Sequence, residues 1–390
     1  MTQSDGWGQI VGAYEHPARL APDKTVAQLH AEAADGALAD AGLTRAEVDG
    51  FFCSGDAPGG VLSMANYLNL KLRYFESTDV GGSSMVAQVA QAAAAISMGW
   101  CNVALITQGG RPKSEGITTG TTKIVKDGSA PDNEWELPYR VANISNYALV
   151  AARHFYEFGT TSEQLAWVKV AASHHAQHNP HAVLRNVVTV DEVLASPLIS
   201  DPLHRLDCCV ITDGGGAVVL ARPEIAASLS RPAVRLRGAG LALKHQEAGY
   251  IDLTYSGAAQ SGRFAFAAAG VTPADIRYAS LYDSFTITVI VQLEDLGFCE
   301  KGQGGRFVSD GNLIANVGRL AVNTDGGGLC NNHPANRGGM TRMVEAVRQL
   351  RGEANPQVQV PGCDLALVHG TGGHLATRHA SATLVLEREG

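Results

Sequence analysis

Two stretches of the chain, far apart in sequence, follow one plan. AEAADGALADAGLTRAEVDGFFCSGD (Ala31 to Asp56) and GRFAFAAAGVTPADIRYASLYDSF (Gly262 to Phe285) each give an Ala-rich amphipathic segment and then a glycine, Gly42 or Gly270. A threonine follows, Thr44 or Thr272, and then a short apolar run. The pattern predicts a helix stopped by glycine, a threonine-capped turn and a strand. The likeness continues downstream. Ser83 to Met98 reads as a small-residue helix entering the strand NVALITQGG, and Gly339 to Leu350 leads, after a loop, into DLALVHGTGG. Each half closes on a further strand, GGAVVLARPE from Gly215 and SATLVLERE from Ser381. A repeat this long is a duplicated domain and not a solenoid.

Strands alternating with helices imply parallel sheets with helices on their faces. The helix MVAQVAQAAAAI is apolar nearly all round, so it is expected to be buried between two sheets. Two similar α/β halves, 1–225 and 226–390, then enclose central helices. The segment about 112–210 breaks the repeat with loops, prolines and the helical stretches NISNYALVAARHFYEFG and TSEQLAWVKVAASHHAQ. Insertions of this length are usually covers or binding loops.

Charge and composition exclude several classes. A net charge of −8 without a long basic run argues against nucleic-acid binding. No apolar stretch reaches the roughly 18 residues a membrane span needs. The start, MTQSDGWGQIVGAYEH, lacks a basic segment followed by an apolar one, so no export signal is expected. The seven cysteines have no paired spacing and are expected as reduced, mostly buried thiols of a cytoplasmic protein. His174, His175, His178 and His181 have helical spacing, but such a surface helix is more often solvated than metal-binding, and no metal is expected.

Five motifs carry a family resemblance: NTDGGGLCNNHPANRGG (Asn323 to Gly339), YDSF (Tyr282 to Phe285), LEDLGFCEKGQGG (Leu293 to Gly305), HGTGG (His369 to Gly373) and HHAQHNPHA (His174 to Ala182). Over essentially its whole length the chain resembles the thiolase superfamily, in particular sterol-carrier-protein-type thiolases and thiolase-like aldolases of steroid side-chain degradation. The resemblance implies the α/β thiolase fold: two βαβαβββ-type halves stacked as a five-layer α-β-α-β-α sandwich with an inserted loop domain. It places His333 on the active-site histidine. His369 falls at a second glycine-rich turn, and Tyr282 where relatives carry Asn or His. It further implies an acyl-CoA thioester as substrate, no covalently bound cofactor, a homodimer, and an accessory Zn-ribbon/OB-fold protein in trans that completes a heterotetramer.

One departure shapes the functional expectation. Thiolases are acylated on a cysteine at the N-terminus of the buried helix, where the dipole lowers its pKa. Here that segment reads DVGGSSMVAQVAQ, which puts Gly82 on the position with Ser83 and Ser84 after it. Serine without an activating base is a weak nucleophile, so these two are expected to cap the helix. What survives is a cradle for the enolate of a thioester. Retro-aldol cleavage of a β-hydroxyacyl-CoA, expected to bear a steroid or other bulky side chain, uses that cradle without a covalent intermediate. The expected roles are His333 as donor to the thioester oxygen, Tyr282 as acid/base at the substrate hydroxyl, and His369 as proton acceptor. Asp283 is expected to orient a histidine, with Cys330 and Asn332 as supporting residues of the histidine loop. Gly326, Gly327, Gly372 and Gly373 are expected to let the backbone approach substrate or CoA. The alternatives are a 3-oxoacyl-CoA acyltransferase acting through Cys330 or a serine, and a non-catalytic acyl-CoA or lipid-binding subunit.

Overall fold

The computed structural model describes residues 6–119, 143–244, 252–375 and 378–389; residues 120–142 of the expected insertion lie outside it. The strands are β1 (Gln9–Glu15), β2 (Gly50–Cys53), β3 (Tyr74–Ser77), β4 (Val103–Gly110), β5 (Leu198–Ser200), β6 (Leu203–His204), β7 (Gly214–Ala221), β8 (Val234–Lys244), β9 (Tyr278–Leu281), β10 (Ala321–Val322), β11 (Leu365–Gly373) and β12 (His379–Arg388). The helices of eight or more residues are α1 (Val26–Ala41), α2 (Gly60–Tyr67), α3 (Ser84–Ser97), α4 (Asn143–Phe158), α5 (Ser162–Ala176), α6 (Ala258–Ala269), α7 (Thr286–Asp295) and α8 (Gly338–Arg351).

The duplication is a property of the topology. The first half orders its strands β3-β2-β4-β7-β1 and the second β10-β9-β11-β12-β8, so each strand has a counterpart in the same place. In each half two neighbouring pairs are parallel, and the last strand returns antiparallel beside the fourth. The all-parallel sheets expected from the alternation of elements are therefore mixed. An antiparallel return needs no helical crossover, and only five residues separate β11 from β12. The halves are also not separate sheets. Ile10 of β1 pairs with Val234 of β8, which makes the ladder continuous across ten strands.

Matching local chemistry sets the matching elements. Gly42 and Gly270 end α1 and α6 at φ 71° and 65°, a region open to glycine without steric cost. Thr44 and Thr272 then open the next turn, their backbone amides donating to Glu47 (2.7 Å) and Asp275 (2.8 Å).

Three hydrophobic clusters define five layers. Ala33, Ala37 and Leu38 of α1 pack on Phe51, Leu105 and Val219 on one outer side. Val86, Ala92 and Ala93 of α3 meet Met340, Met343 and Val347 of α8 in the centre, between Ile106 and Val218 of one half and Val368 and Leu384 of the other. Ala265 of α6 and Ile290 of α7 cover the far side. Alternation along β4 serves both faces at once, with Leu105 outward and Ile106 inward.

The insertion's helices α4 and α5 join the cluster of the second half through Tyr147, Leu165 and Val168. Two buried histidines act as struts. His154 joins Thr160 (2.8 Å) and Glu294 (3.1 Å). His175, from the histidine-rich stretch expected to be solvated, bonds the Asn323 carbonyl (3.2 Å) and accepts from the Ala315 amide (2.9 Å). Burial holds its imidazole down at about 4, so it is neutral. All seven cysteines are free thiols, Cys299 alone being partly exposed. Among the described residues no helix is long and apolar enough to cross a membrane.

Candidate active site

Three segments from distant parts of the sequence meet above the centre of the molecule. β9 runs out into Tyr282, whose amide donates to the His369 carbonyl of β11 (3.0 Å). The turn Gly81–Ser83 precedes α3 and packs against the end of β11, where a β-carbon on Gly81 would lie 2.8 Å from Gly372 Cα. Between them lies a cavity of about 310 Å³ lined by Gly82, Tyr282, His333, Thr371, Gly372 and Gly373. The insertion contributes Asn143, Ile144 and Tyr147 from α4, and Cys208 and Cys209 lie on the same wall. Strand ends and helix N-termini are where α/β folds put ligands.

At Gly82, the position expected to hold a nucleophile in thiolases, the space for a side chain is taken. An added β-carbon would lie 2.4 Å from the Thr371 carbonyl and 2.5 Å from Tyr282 Cε2. Ser83 and Ser84 turn away from the cavity and hold the helix start. Ser83 Oγ donates to the Val80 carbonyl, Ser84 Oγ donates to the Gly81 carbonyl (both 2.7 Å), and Ser84 Oγ accepts from the Val80 amide (2.9 Å).

Tyr282 and His333 face each other edge to face, ring centroids 5.4 Å apart and planes at 74°. Tyr282 Oη donates to the Ala335 carbonyl (3.2 Å). Burial pushes the phenol well above its usual range, so it is protonated at neutral pH. The His333 amide donates to Thr212 Oγ1 (3.0 Å), while neither ring nitrogen has a partner among the described residues. Burial, with the nearby Arg342 charge, lowers its pKa to about 4, which leaves a neutral imidazole with one donor and one acceptor.

The loop carrying His333 is held from behind by a buried charge network. Asp283 accepts the amides of Gly328 (2.8 Å) and Leu329 (3.2 Å). It therefore anchors the loop and does not bond a histidine, the role expected of it from sequence. Arg342 pairs with Asp325 at 2.8 Å and lies 4.0 Å from Asp283. Asn332 donates to Glu15 (2.9 Å) and accepts from Thr212 Oγ1 (2.6 Å), behind the cavity wall. Gly326 and Gly327 belong to this support and not to the cavity lining. A β-carbon on Gly327 would meet Asp283 Oδ2 at 2.0 Å, and one on Gly326 would meet Ala176 at 2.6 Å.

The remaining expected residues separate. His369 is fully buried and does not line the cavity; its Nδ1 bonds Thr383 Oγ1 at 2.8 Å. Burial lowers its pKa to about 3, which makes it a far weaker proton acceptor than an unperturbed histidine. Cys330 is sealed inside against Lys169 Nζ (3.1 Å), and that lysine also donates to the Leu329 carbonyl (2.7 Å). The thiols that do line the cavity, Cys208 and Cys209, were not singled out from the sequence. Burial raises Cys208 to about 12 and Cys209 well above 9. Arg342 was missed as well. Its signal was an arginine within the otherwise apolar face of GGMTRMVEAV. Among the described residues, no group of three or more His, Cys, Asp or Glu side chains is placed to hold a metal ion.

The arrangement offers a neutral imidazole, a phenol and the N-terminus of α3 to one small volume, which suits a developing oxyanion. Residues 239–388 match the family described as thiolase C-terminal domain-like. An acetyl-CoA acetyltransferase of Methanothermobacter thermautotrophicus is 34% identical, covering 88% of this chain and 90% of that protein. A steroid side-chain-cleaving aldolase of Thermomonospora curvata is 33% identical, covering 88% and 90%. Among solved structures, the Ltp2-ChsH2(DUF35) aldolase superposes with a TM-score of 0.85 at 30% identity, covering 98% of each chain.

Proposed function

Because the chain belongs to the thiolase superfamily yet has the Tyr282 ring pressed against Gly82, we propose that it is a carbon–carbon lyase. It cleaves a β-hydroxyacyl-CoA by a retro-aldol reaction to a ketone or aldehyde and a shorter acyl-CoA. A steroid or other bulky side-chain thioester is the proposed substrate class, supported by the similarity to the aldolases named above. The observation that carries the reading is the closed space at Gly82: the family's acylation position has neither a thiol nor room for one.

In this reading His333 donates from its ring to the thioester oxygen, a contact worth about 3–4 kcal/mol in a dry site. Tyr282 stands at the β-hydroxyl and moves its proton. Burial keeps the phenol protonated, so that proton has to be handed on as the carbon–carbon bond breaks. Electrons from that bond form the enolate, and a proton returned to the α-carbon completes the acyl-CoA. His369 supports the site from beneath. Gly372 and Gly373, on the cavity wall, leave the backbone open to the thioester.

A homodimer through the edge strand β3 is supported by its unpaired side and by the exposed Phe75, Tyr67, Met98 and Trp100 around it. A DUF35 partner in trans, bearing the Zn ribbon and OB fold, is supported by the structural relative that includes one. The cytoplasm is the proposed compartment. A second reading, acyl transfer to CoA, rests on Cys209 in the cavity wall and on the similarity to an acetyltransferase. Against it, the thiol is raised by burial and, among the described residues, no histidine bonds it.

The test is incubation with β-hydroxyacyl-CoA candidates without free CoA, with and without a DUF35 partner. Release of a carbonyl compound and a shorter acyl-CoA is expected. Cleavage that requires free CoA and leaves an acyl adduct by intact mass would replace the lyase with an acyltransferase.

A further inference from the structure

Behind the cavity wall, β11 and β12 set polar side chains opposite one another on the face that meets α6. His369 pairs in register with Thr383, Thr371 with Ser381, and Gly373 with His379. Part of this ladder is satisfied: His369 Nδ1 bonds Thr383 Oγ1 (2.8 Å), which bonds Ser261 Oγ of α6 (2.8 Å). The rest is not. Among the described residues, His369 Nε2, Thr371 Oγ1, Ser381 Oγ and both ring nitrogens of His379 have no protein partner, and none of the four residues is more than 2% exposed. Isolated orphans occur in folded proteins, but five such atoms on adjacent positions of one strand pair call for bridging water.

The ladder has two ends. Thr371 lines the catalytic cavity beside Tyr282. His379 lines a second cavity of about 560 Å³, together with Lys244 and Asp79. The cavities share Gly372 and Gly373 at their rim, so a substrate filling the first closes the direct route while the ladder runs beneath it. We propose that this face holds a file of water molecules that exchanges protons between the catalytic cavity and the second cavity, with His379 as its outer positioning residue. Burial keeps both imidazoles near 3 and hence neutral; each then offers one donor and one acceptor, the form that passes a proton without changing charge. The proposal rests on the lyase reading. The β-hydroxyl proton leaves by the file and a solvent proton reaches the α-carbon by it, so the overall reaction neither gains nor loses a proton.

The experiment is cleavage in H2O and in D2O, following kcat, KM and the solvent isotope effect on kcat. Three variants are compared: His379→Leu, His379→Gln and Ser381→Ala. His379→Leu and Ser381→Ala are expected to lower kcat about tenfold or more, with a larger solvent isotope effect and KM unchanged. His379→Gln, which keeps a donor and an acceptor, is expected to recover part of the rate. If His379→Leu fails to fold, Ser381→Ala decides. Wild-type kcat and isotope effect in His379→Leu or Ser381→Ala overturn the file. A wild-type protein that does not cleave overturns the lyase reading and the file with it.

Discussion

A β-carbon on Gly82 would sit 2.5 Å from Cε2 of Tyr282, so the residue at the helix N-terminus and the aromatic ring exclude one another's alternatives. A cysteine placed there is therefore not expected to restore thiolase chemistry. Gly82→Cys is expected to lose at least about 100-fold in cleavage rate, gain no CoA-dependent acyl transfer, and lose about 1–3 kcal/mol of stability from overpacking. Steady-state kinetics and denaturant melts check it. A Gly82→Cys protein with thiolase activity and unchanged stability would mean that the ring moves freely.

In the proposed reaction Tyr282 and His333 divide the chemistry, and their removal has distinct signatures. Tyr282→Phe keeps the ring that fills the space at Gly82 and loses only the hydroxyl. The expected result is an intact fold with kcat down about 10²–10⁴-fold and KM little changed. His333→Ala, which removes the proposed oxyanion donor, is expected to cost about 10²–10³ in kcat. Full cleavage by Tyr282→Phe would remove the phenol from the mechanism.

Cys209 separates the two readings directly. Its thiol is raised by burial, and among the described residues no activating base bonds it, so Cys209→Ala is expected to retain cleavage within about threefold, the loss of a wall atom and not of a nucleophile. Loss of all turnover in that variant, with the fold intact by circular dichroism, would favour acyl transfer.

Acid should unfold the protein earlier than its carboxylates alone require. His175 and His333 are held near 4, and His369 and His379 near 3, all by burial. Unfolded histidine titrates near 6.5. The stabilisation is complete above about pH 6.5 and is lost as pH falls toward 4 and below, because the unfolded chain takes up protons that the folded one refuses. Glu345 works in the opposite sense. Burial raises it to about 7, so its contribution is present at low pH and fades as pH rises through 7. The expected outcome is a Tm that falls between pH 7 and pH 4.5, with Glu345→Gln gaining stability relative to wild type at pH 8. A flat Tm over the acid range would show that burial does not hold those imidazoles low.

Neighbouring residues wrote the repeat. Gly42 and Gly270, Thr44 and Thr272, and the helix before each fourth strand are local signals, and the two halves set the matching strands in the same order. The histidine loop was legible for the same reason, since His333 sits inside a glycine-rich pattern that few structures require. Residue roles were less legible. Asp283 next to Tyr282 in sequence suggested a partner for a histidine; in the fold it takes the amides of Gly328 and Leu329, 45 and 46 residues on.

The sequence alone determined a duplicated α/β chain without a thiol at the start of its buried helix, because periodicity, caps and a missing cysteine are read one segment at a time. Only the tertiary structure decided that Tyr282 fills the space beside Gly82, that Cys208 and Cys209 and not Cys330 face the cavity, and that His369 points into a buried polar ladder. Each of these depends on which way a side chain turns once segments far apart in the chain pack together, and alternation along a strand does not say which face will meet the ligand.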